Sequence, residues 1–345
     1  MLRLTGGIAG AAAALASYPS LKKARAESLP WQREGGEAPS PPDYSWLLGQ
    51  GGAVGEPLEE GQAKVLLLAY PRTGSSLLGE LLAASPATSY FMEPLFALLQ
   101  VGQLDWDYAL EARVEAGEVP GQAVVALMAG LFSCGEGVVG RLGEWSRQPH
   151  TSVTAVPVEE CRGSGALLAK TVRLHGPLVT QVAASVPELR VVHLVRDPRA
   201  VVASLQAQAE EWGGRSGETY CKQLLADMAV GEELGPGHYL RVSYEELLEK
   251  PKEVLSRIAI FTGVAVTKEV KEAVAVRMGG KAKVRASDSV DLAASETTEY
   301  YSTVRGAGHR HDGWRRRLRE EEVEALECGV CGEVMDRLGY SRLAD

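Results

Sequence analysis

The sequence predicts an α/β fold, a parallel sheet with helices on both faces, forming one domain over residues 62–345. Three observations carry this. Short, continuous apolar runs recur at 65–69, 166–169 and 191–195, the form taken by strands buried on both faces. The first and last of these pass through a short polar turn into helix-like runs at 77–82 and 200–205. The chain has 345 residues, of which 45% are hydrophobic and 23% charged, enough for one large core and far from a disordered composition.

Net charge is −9, from 36 basic and 45 acidic residues. A chain that held nucleic acid by general electrostatics would lean basic, so no nucleic-acid partner is expected. An anionic ligand has to be met by a local cluster instead. Five cysteines, an odd number, are too few for a disulfide scaffold. The chain contains no Asn, so it has no N-glycosylation sequon.

Residues 4–17 are apolar and uncharged, with Arg3 before them and Lys22, Lys23 and Arg25 after. A spanning helix needs about 20 apolar residues, and this run is shorter and made mostly of Ala and Gly. Residues 1–23 therefore read as a weak signal-anchor, a cleaved signal peptide, an organellar leader or a plain Ala/Gly tail. Residues 24–61, with Pro30, Pro39, Pro41 and Pro42 among Gly and Glu, read as a stem or linker.

Beyond the first strand comes Pro71-Arg72-Thr73-Gly74-Ser75-Ser76 and then a helix. Strand, Gly/Ser loop and helix together aim backbone N–H groups and a helix N-terminus at one point, which favours an anion. Arg72 adds a positive charge, and the hydroxyls of Thr73, Ser75 and Ser76 add donors. The loop is not G-x-x-x-x-G-K-[ST], so nothing in it is built to hold magnesium against a triphosphate. A tight turn with a Ser cap fits the same residues. The second turn, Arg196-Asp197-Pro198-Arg199, places Asp197 as N-cap and Pro198 at the first helical position. Arg196 leaves the strand end and Ser204 lies about two turns along the helix. Two anion-type crevices in one α/β pattern point to one ligand with two separated anionic groups.

These two segments resemble the sulfotransferases that use 3′-phosphoadenosine 5′-phosphosulfate (PAPS). Arg72 to Ser76 resembles their 5′-phosphosulfate loop and Arg196 to Ser204 their 3′-phosphate segment. Phe91-Met92-Glu93-Pro94-Leu95, Lys170-Thr171-Val172-Arg173-Leu174, Tyr239 to Leu248 and Cys331 to Tyr340 resemble the Golgi carbohydrate 6-O-sulfotransferases acting on galactose, N-acetylgalactosamine or N-acetylglucosamine. The resemblance spans about 64–341. It implies the P-loop nucleotide-kinase-like sulfotransferase fold, a nucleotide donor, a glycan acceptor and a luminal Golgi enzyme with a weak membrane anchor, a secreted enzyme being the alternative. No metal is expected.

The resemblance also implies roles. Arg72 would neutralise charge growing on the bridging oxygen, while backbone N–H groups of 73–76 with Ser75 and Ser76 hold the 5′-phosphate. Arg196 and Ser204 would hold the 3′-phosphate. Tyr244 resembles a position that contacts adenine, with a core tyrosine as its rival reading. Arg305 and Trp314 loosely resemble a cap over the 3′-phosphate. An acceptor hydroxyl needs a proton acceptor, and Glu93 is the candidate because it follows an expected strand at 88–92, where open α/β sheets bind ligands. Lys170 and Arg173 follow another strand and would touch the sulfuryl group or an acidic acceptor. A structural ion pair fits Arg173 equally.

Cys328-x-x-Cys331 lacks the second ligand pair of a zinc site and reads as structural. In an oxidising lumen Cys134 with Cys161 and Cys221 with Cys331 are candidate pairs, a connectivity that spacing leaves open. Three rival functions remain: a P-loop kinase or hydrolase, a non-catalytic glycan- or nucleotide-binding protein on the same fold, and protein-tyrosine sulfation.

Overall fold

The computed structural model describes residues 44, 47, 61–101, 110–147, 153–207, 217–278, 303 and 311–343, all within the compact unit Pro42–Asp345. The leader expected at 1–23, nearly all of the stem at 24–61, and Arg305 lie outside the described residues.

The sheet has five parallel strands, β1 (Ala63–Leu68), β2 (Thr88–Met92), β3 (Ala166–Thr171), β4 (Leu189–Val195) and β5 (Tyr239–Ser243), in the order β2-β3-β1-β4-β5. Thus β1 is central, pairing Leu67 with both Lys170 and Val192. The apolar runs become strands because both faces are covered. Alternate residues of a strand face opposite sides, and β1 obeys this. Leu66 and Leu68 join one core with α2 (Phe96–Val101), α4 (Gly121–Phe132), α5 (Glu136–Ser146) and α7 (Pro177–Ser185). Short helices α3 (Leu110–Glu115) and α6 (Val158–Gly163) add residues to the same core. Val65, Leu67 and Ala69 join the other, with α1 (Ser75–Ala83), α10 (Tyr244–Glu249), α11 (Pro251–Thr262) and α12 (Lys268–Met278).

A third cluster joins α8 (Pro198–Gln206), α9 (Gly217–Leu234) and α14 (Gly329–Leu338) around Tyr70 and Val195. A 3₁₀ turn at Gly313–Arg316 and α13 (Glu320–Glu327) pack on α8. Disulfides Cys134–Cys161 and Cys221–Cys331 are both formed, the second tying α9 to α14. Cys328 is a free, exposed thiol at the N-cap of α14. Among the described residues no single helix is long and apolar enough to cross a membrane.

Strand order decides where a ligand can sit. The chain leaves β1 toward β2 on one side, and leaves β4 toward β5 on the other. The connections diverge at the carboxyl ends of β1 and β4, which opens a crevice there. Both predicted anion turns lie at that point.

Candidate active site

The first loop is held by its own backbone. The Thr73 hydroxyl donates to the Tyr70 carbonyl at 2.7 Å and accepts from the Tyr70 N–H at 3.3 Å, while the Thr73 N–H donates to the same carbonyl at 3.3 Å. Thr73 is fully buried. Its hydroxyl and N–H, expected to be ligand donors, close this turn instead. Arg72 is carried at φ 67°, a left-handed conformation that costs a non-glycine residue about 1–2 kcal/mol. Gly74 at φ 87° is the N-cap of α1. A Cβ there would lie 2.4 Å from the Tyr244 ring, so any side chain at this position has to displace that ring. Among the described residues no side chain caps α1, and its first turn holds no acidic residue to offset the positive end of the helix dipole.

The β4 exit closes onto this loop. An Arg196 guanidinium N–H donates to the Arg72 carbonyl at 2.7 Å, and the group lies 4.5 Å from the Tyr244 ring centroid. The Tyr220 hydroxyl donates to the Arg196 carbonyl at 2.9 Å. Arg72 Nε donates to the Ser204 hydroxyl oxygen at 3.0 Å. Arg72, Gly74, Arg196, Ser204 and Tyr244, far apart in sequence, thus form one cluster, with Ser75 and Ser76 opening α1 beside it. Tyr244 is both a core residue and a wall of this cluster: it is 1% exposed.

Asp197 caps α8 as expected, accepting from the Arg199 N–H at 2.9 Å. The Arg199 side chain is paired to Asp197 and to Glu327 at 2.6 Å, and it stacks 4.2 Å from the Trp314 ring. Trp314 is therefore buried against α8, with Arg315 over it at 4.5 Å. It braces the second anion turn through Arg199.

Glu93 forms a different kind of centre. It too has a left-handed backbone, φ 49°, and its N–H donates to the Lys170 carbonyl at 2.8 Å. Lys170 Nζ donates to Oε1 at 2.6 Å, and the Val172 N–H at 3.4 Å and the Arg173 guanidinium donate to Oε2. Glu93 is 3% exposed. Burial pushes its carboxyl up, but Lys170 and Arg173 outweigh this and hold it below the usual carboxylate range. Glu93 is thus an ionised group with both oxygens engaged. The Arg173 ion pair, one of the two readings of that residue, is formed.

Sequence reasoning missed a buried polar cluster behind the first loop: Tyr70, His175, His193, Asp227 and Tyr239. The only sign of it was a histidine inside an otherwise apolar strand run. It also missed that Arg196 touches the loop after β1, since nothing local links residues so far apart. The set fits an adenosine bisphosphate group. Arg196 Nε is buried with no hydrogen-bond partner among the described residues, α1 begins without a side-chain cap among them, and Gly74 lets the loop lie flat against an aromatic ring. Among the described residues no cluster of three or more His, Cys, Asp or Glu could hold a metal.

Residues 64–268 match the model of the sulfotransferase family. The chain belongs to the sulfotransferase family. Among curated relatives of this family it is similar to carbohydrate sulfotransferase 1 of Danio rerio, 23% identical with 80% of this chain and 77% of that protein covered. It is also similar to carbohydrate sulfotransferase 2 of Mus musculus, 26% identical over 54% of this chain and 41% of that protein. The chain thus spans less than half of the mouse relative. Among solved structures, the sulfotransferase domain of the Synechococcus PCC 7002 olefin synthase aligns with TM-score 0.46 and 17% identity, over 83% of this chain and 98% of that one.

Proposed function

We propose that the protein transfers the sulfuryl group of PAPS to a sugar hydroxyl, O-6 of galactose, N-acetylgalactosamine or N-acetylglucosamine in a glycan, by metal-free in-line displacement, and that residues 62–345 form the catalytic domain. The observation that carries this reading is the meeting of Arg72, Arg196 and Ser204 beside the N-terminus of α1, in a chain of this family. The similarity to carbohydrate sulfotransferases 1 and 2 supports a carbohydrate acceptor.

When bound, PAPS supplies the sulfuryl group and the leaving nucleotide. Arg72, Ser75, Ser76 and the first N–H groups of α1 hold its 5′ side. Arg196 and Ser204 hold the 3′-phosphate, Tyr244 lies against the base, and Trp314 keeps the Arg199 segment in place, with Arg305 assigned to the same end. Fixed donors and cations at these positions stabilise charge in the transition state without reorganising. Lys170 supplies a further cation. Glu93 receives the acceptor proton, and for that Lys170 or Arg173 has to release one carboxylate oxygen.

The two disulfides support an oxidising compartment, in keeping with the Golgi lumen. The test is incubation with labelled PAPS and a panel of keratan, chondroitin and N-glycan-type acceptors, followed by locating the sulfate. Label on O-6 of one of these sugars supports the reading. Transfer only to an acidic tyrosine peptide, or none, overturns it.

A further inference from the structure

Behind the first loop, Asp227 of α9 is fully buried and ties two segments to its helix, the exits of β1 and β3. Its Oδ2 accepts from the Tyr70 hydroxyl at 2.5 Å and pairs with His175 Nδ1 at 2.7 Å; its Oδ1 accepts from the Gly176 N–H at 2.6 Å. Tyr70 stacks on His175 with ring centroids 4.8 Å apart and planes 7° apart. The Tyr70 oxygen also meets His193 Nε2 of β4 at 2.9 Å, and His193 Nδ1 meets the Tyr239 hydroxyl of β5. The Tyr70 backbone in turn holds both the hydroxyl and the N–H of Thr73. A continuous path therefore runs from Asp227 through the Tyr70 ring and backbone to the turn that keeps Arg72 left-handed. A second path runs from Asp227 through His175 Nε2 to the Val172 carbonyl at 3.3 Å, and the Val172 N–H reaches Glu93.

We infer that Asp227 is a positioning residue, which, through Tyr70 and through His175 with Gly176, holds the exits of β1 and β3 in fixed relation and so sets the 5′ half of the donor site. This rests on the donor reading above. The physical reason is economy of freedom. A buried, fully paired carboxylate with three short bonds has one arrangement. The loop it anchors then needs no ordering when an anion binds. The 3′ half depends on Arg196 and Ser204, which Asp227 reaches only at second hand, through the Arg72 loop and through the Tyr70–Tyr220 ring contact.

That asymmetry supplies the test. Wild type, Tyr70→Phe and Asp227→Asn are titrated with adenosine 5′-phosphate and with adenosine 3′-phosphate. Tyr70→Phe removes one oxygen and keeps the ring, so it carries the test if Asp227→Asn fails to fold. The expected result is 5′-phosphate binding weakened about fivefold or more in each variant, the size of a lost hydrogen bond, with 3′-phosphate binding changed less than about twofold. The double variant should lose no more than the worse single one, because both act through one path. Equal weakening of both probes, as a general loosening of the fold would give, overturns the inference; so does unchanged 5′-phosphate binding. Failure of the donor reading looks different. Wild type itself would then bind neither probe, and the positioning role would fall with it.

Discussion

Two clusters of cations stand at the carboxyl ends of the same sheet, and they are built in opposite ways. At the β2 and β3 exits the chain supplies its own anion: Glu93 takes Lys170 and Arg173 onto its two oxygens. At the β1 and β4 exits Arg196 has no carboxylate partner among the described residues. Its neighbours are a carbonyl and an aromatic ring, and the helix end beside it has no acidic side chain. A buried cation needs compensation. Where the fold provides it, the site is closed and structural at rest. Where the described residues offer none, as at Arg196, we read the site as one for an anion from outside.

The largest expected effect breaks the closed side. Glu93→Gln leaves two buried cations facing a neutral amide, which should cost about 3–5 kcal/mol of stability. If Glu93 also takes the acceptor proton, sulfate transfer per folded molecule should fall by about 10²–10⁴. Denaturant unfolding and turnover under saturating PAPS separate the two roles. A loss of stability with turnover per folded molecule unchanged would leave Glu93 as a clamp alone.

The next effect concerns what lies behind the open side. Burial holds the His193 ring down to about 4, and neighbouring Asp227 only partly offsets this. The folded-state value lies below the ordinary 6.5, so the unfolded chain takes up the proton first. Stability is then complete above about pH 6.5 and is lost as pH falls toward 4, by about 3 kcal/mol. Unfolding measured across pH 4–7 should show this slope, and His193→Gln should flatten it.

A smaller effect sharpens the open side. Arg196→Ala should weaken adenosine 3′,5′-bisphosphate binding by about 1.5–3 kcal/mol, the size of a charge-assisted hydrogen bond. Unchanged affinity in the folded variant would remove Arg196 from the site. Smaller still, Gly74→Ala should cost about 1–2 kcal/mol of stability through its left-handed backbone, and should displace Tyr244. Its readout is thermal unfolding alongside nucleotide titration.

The open side was far more legible in the sequence than the closed one. Apolar runs ending in Arg72-Thr73-Gly74-Ser75-Ser76 and Arg196-Asp197-Pro198-Arg199 are local signals, and the end of β4, the N-cap and the N1 proline fell where local chemistry put them, while β1 stops at Leu68 and β3 runs on to Thr171. The strand at Thr88–Met92 was legible for the same reason. The ion triad was not, because Lys170 and Arg173 reach Glu93 across a strand pairing that local sequence does not encode. Nor was the commitment of the Thr73 hydroxyl, which depends on the turn made by Tyr70, or the left-handed backbone at Arg72 and Glu93. The Asp227 cluster was hidden most completely, since its members come from five separate places and only packing brings them together.

The central claim is that the β1–β4 crevice is a site for an adenosine bisphosphate group and works without a metal. Calorimetric titration of the wild-type protein with adenosine 3′,5′-bisphosphate in the presence of a chelator tests it most directly. The account predicts saturable one-to-one binding, at least about tenfold tighter than adenosine 5′-phosphate, the share of the missing 3′ contacts. Absence of binding, or a preference for magnesium-bound ATP over the bisphosphate, would contradict it.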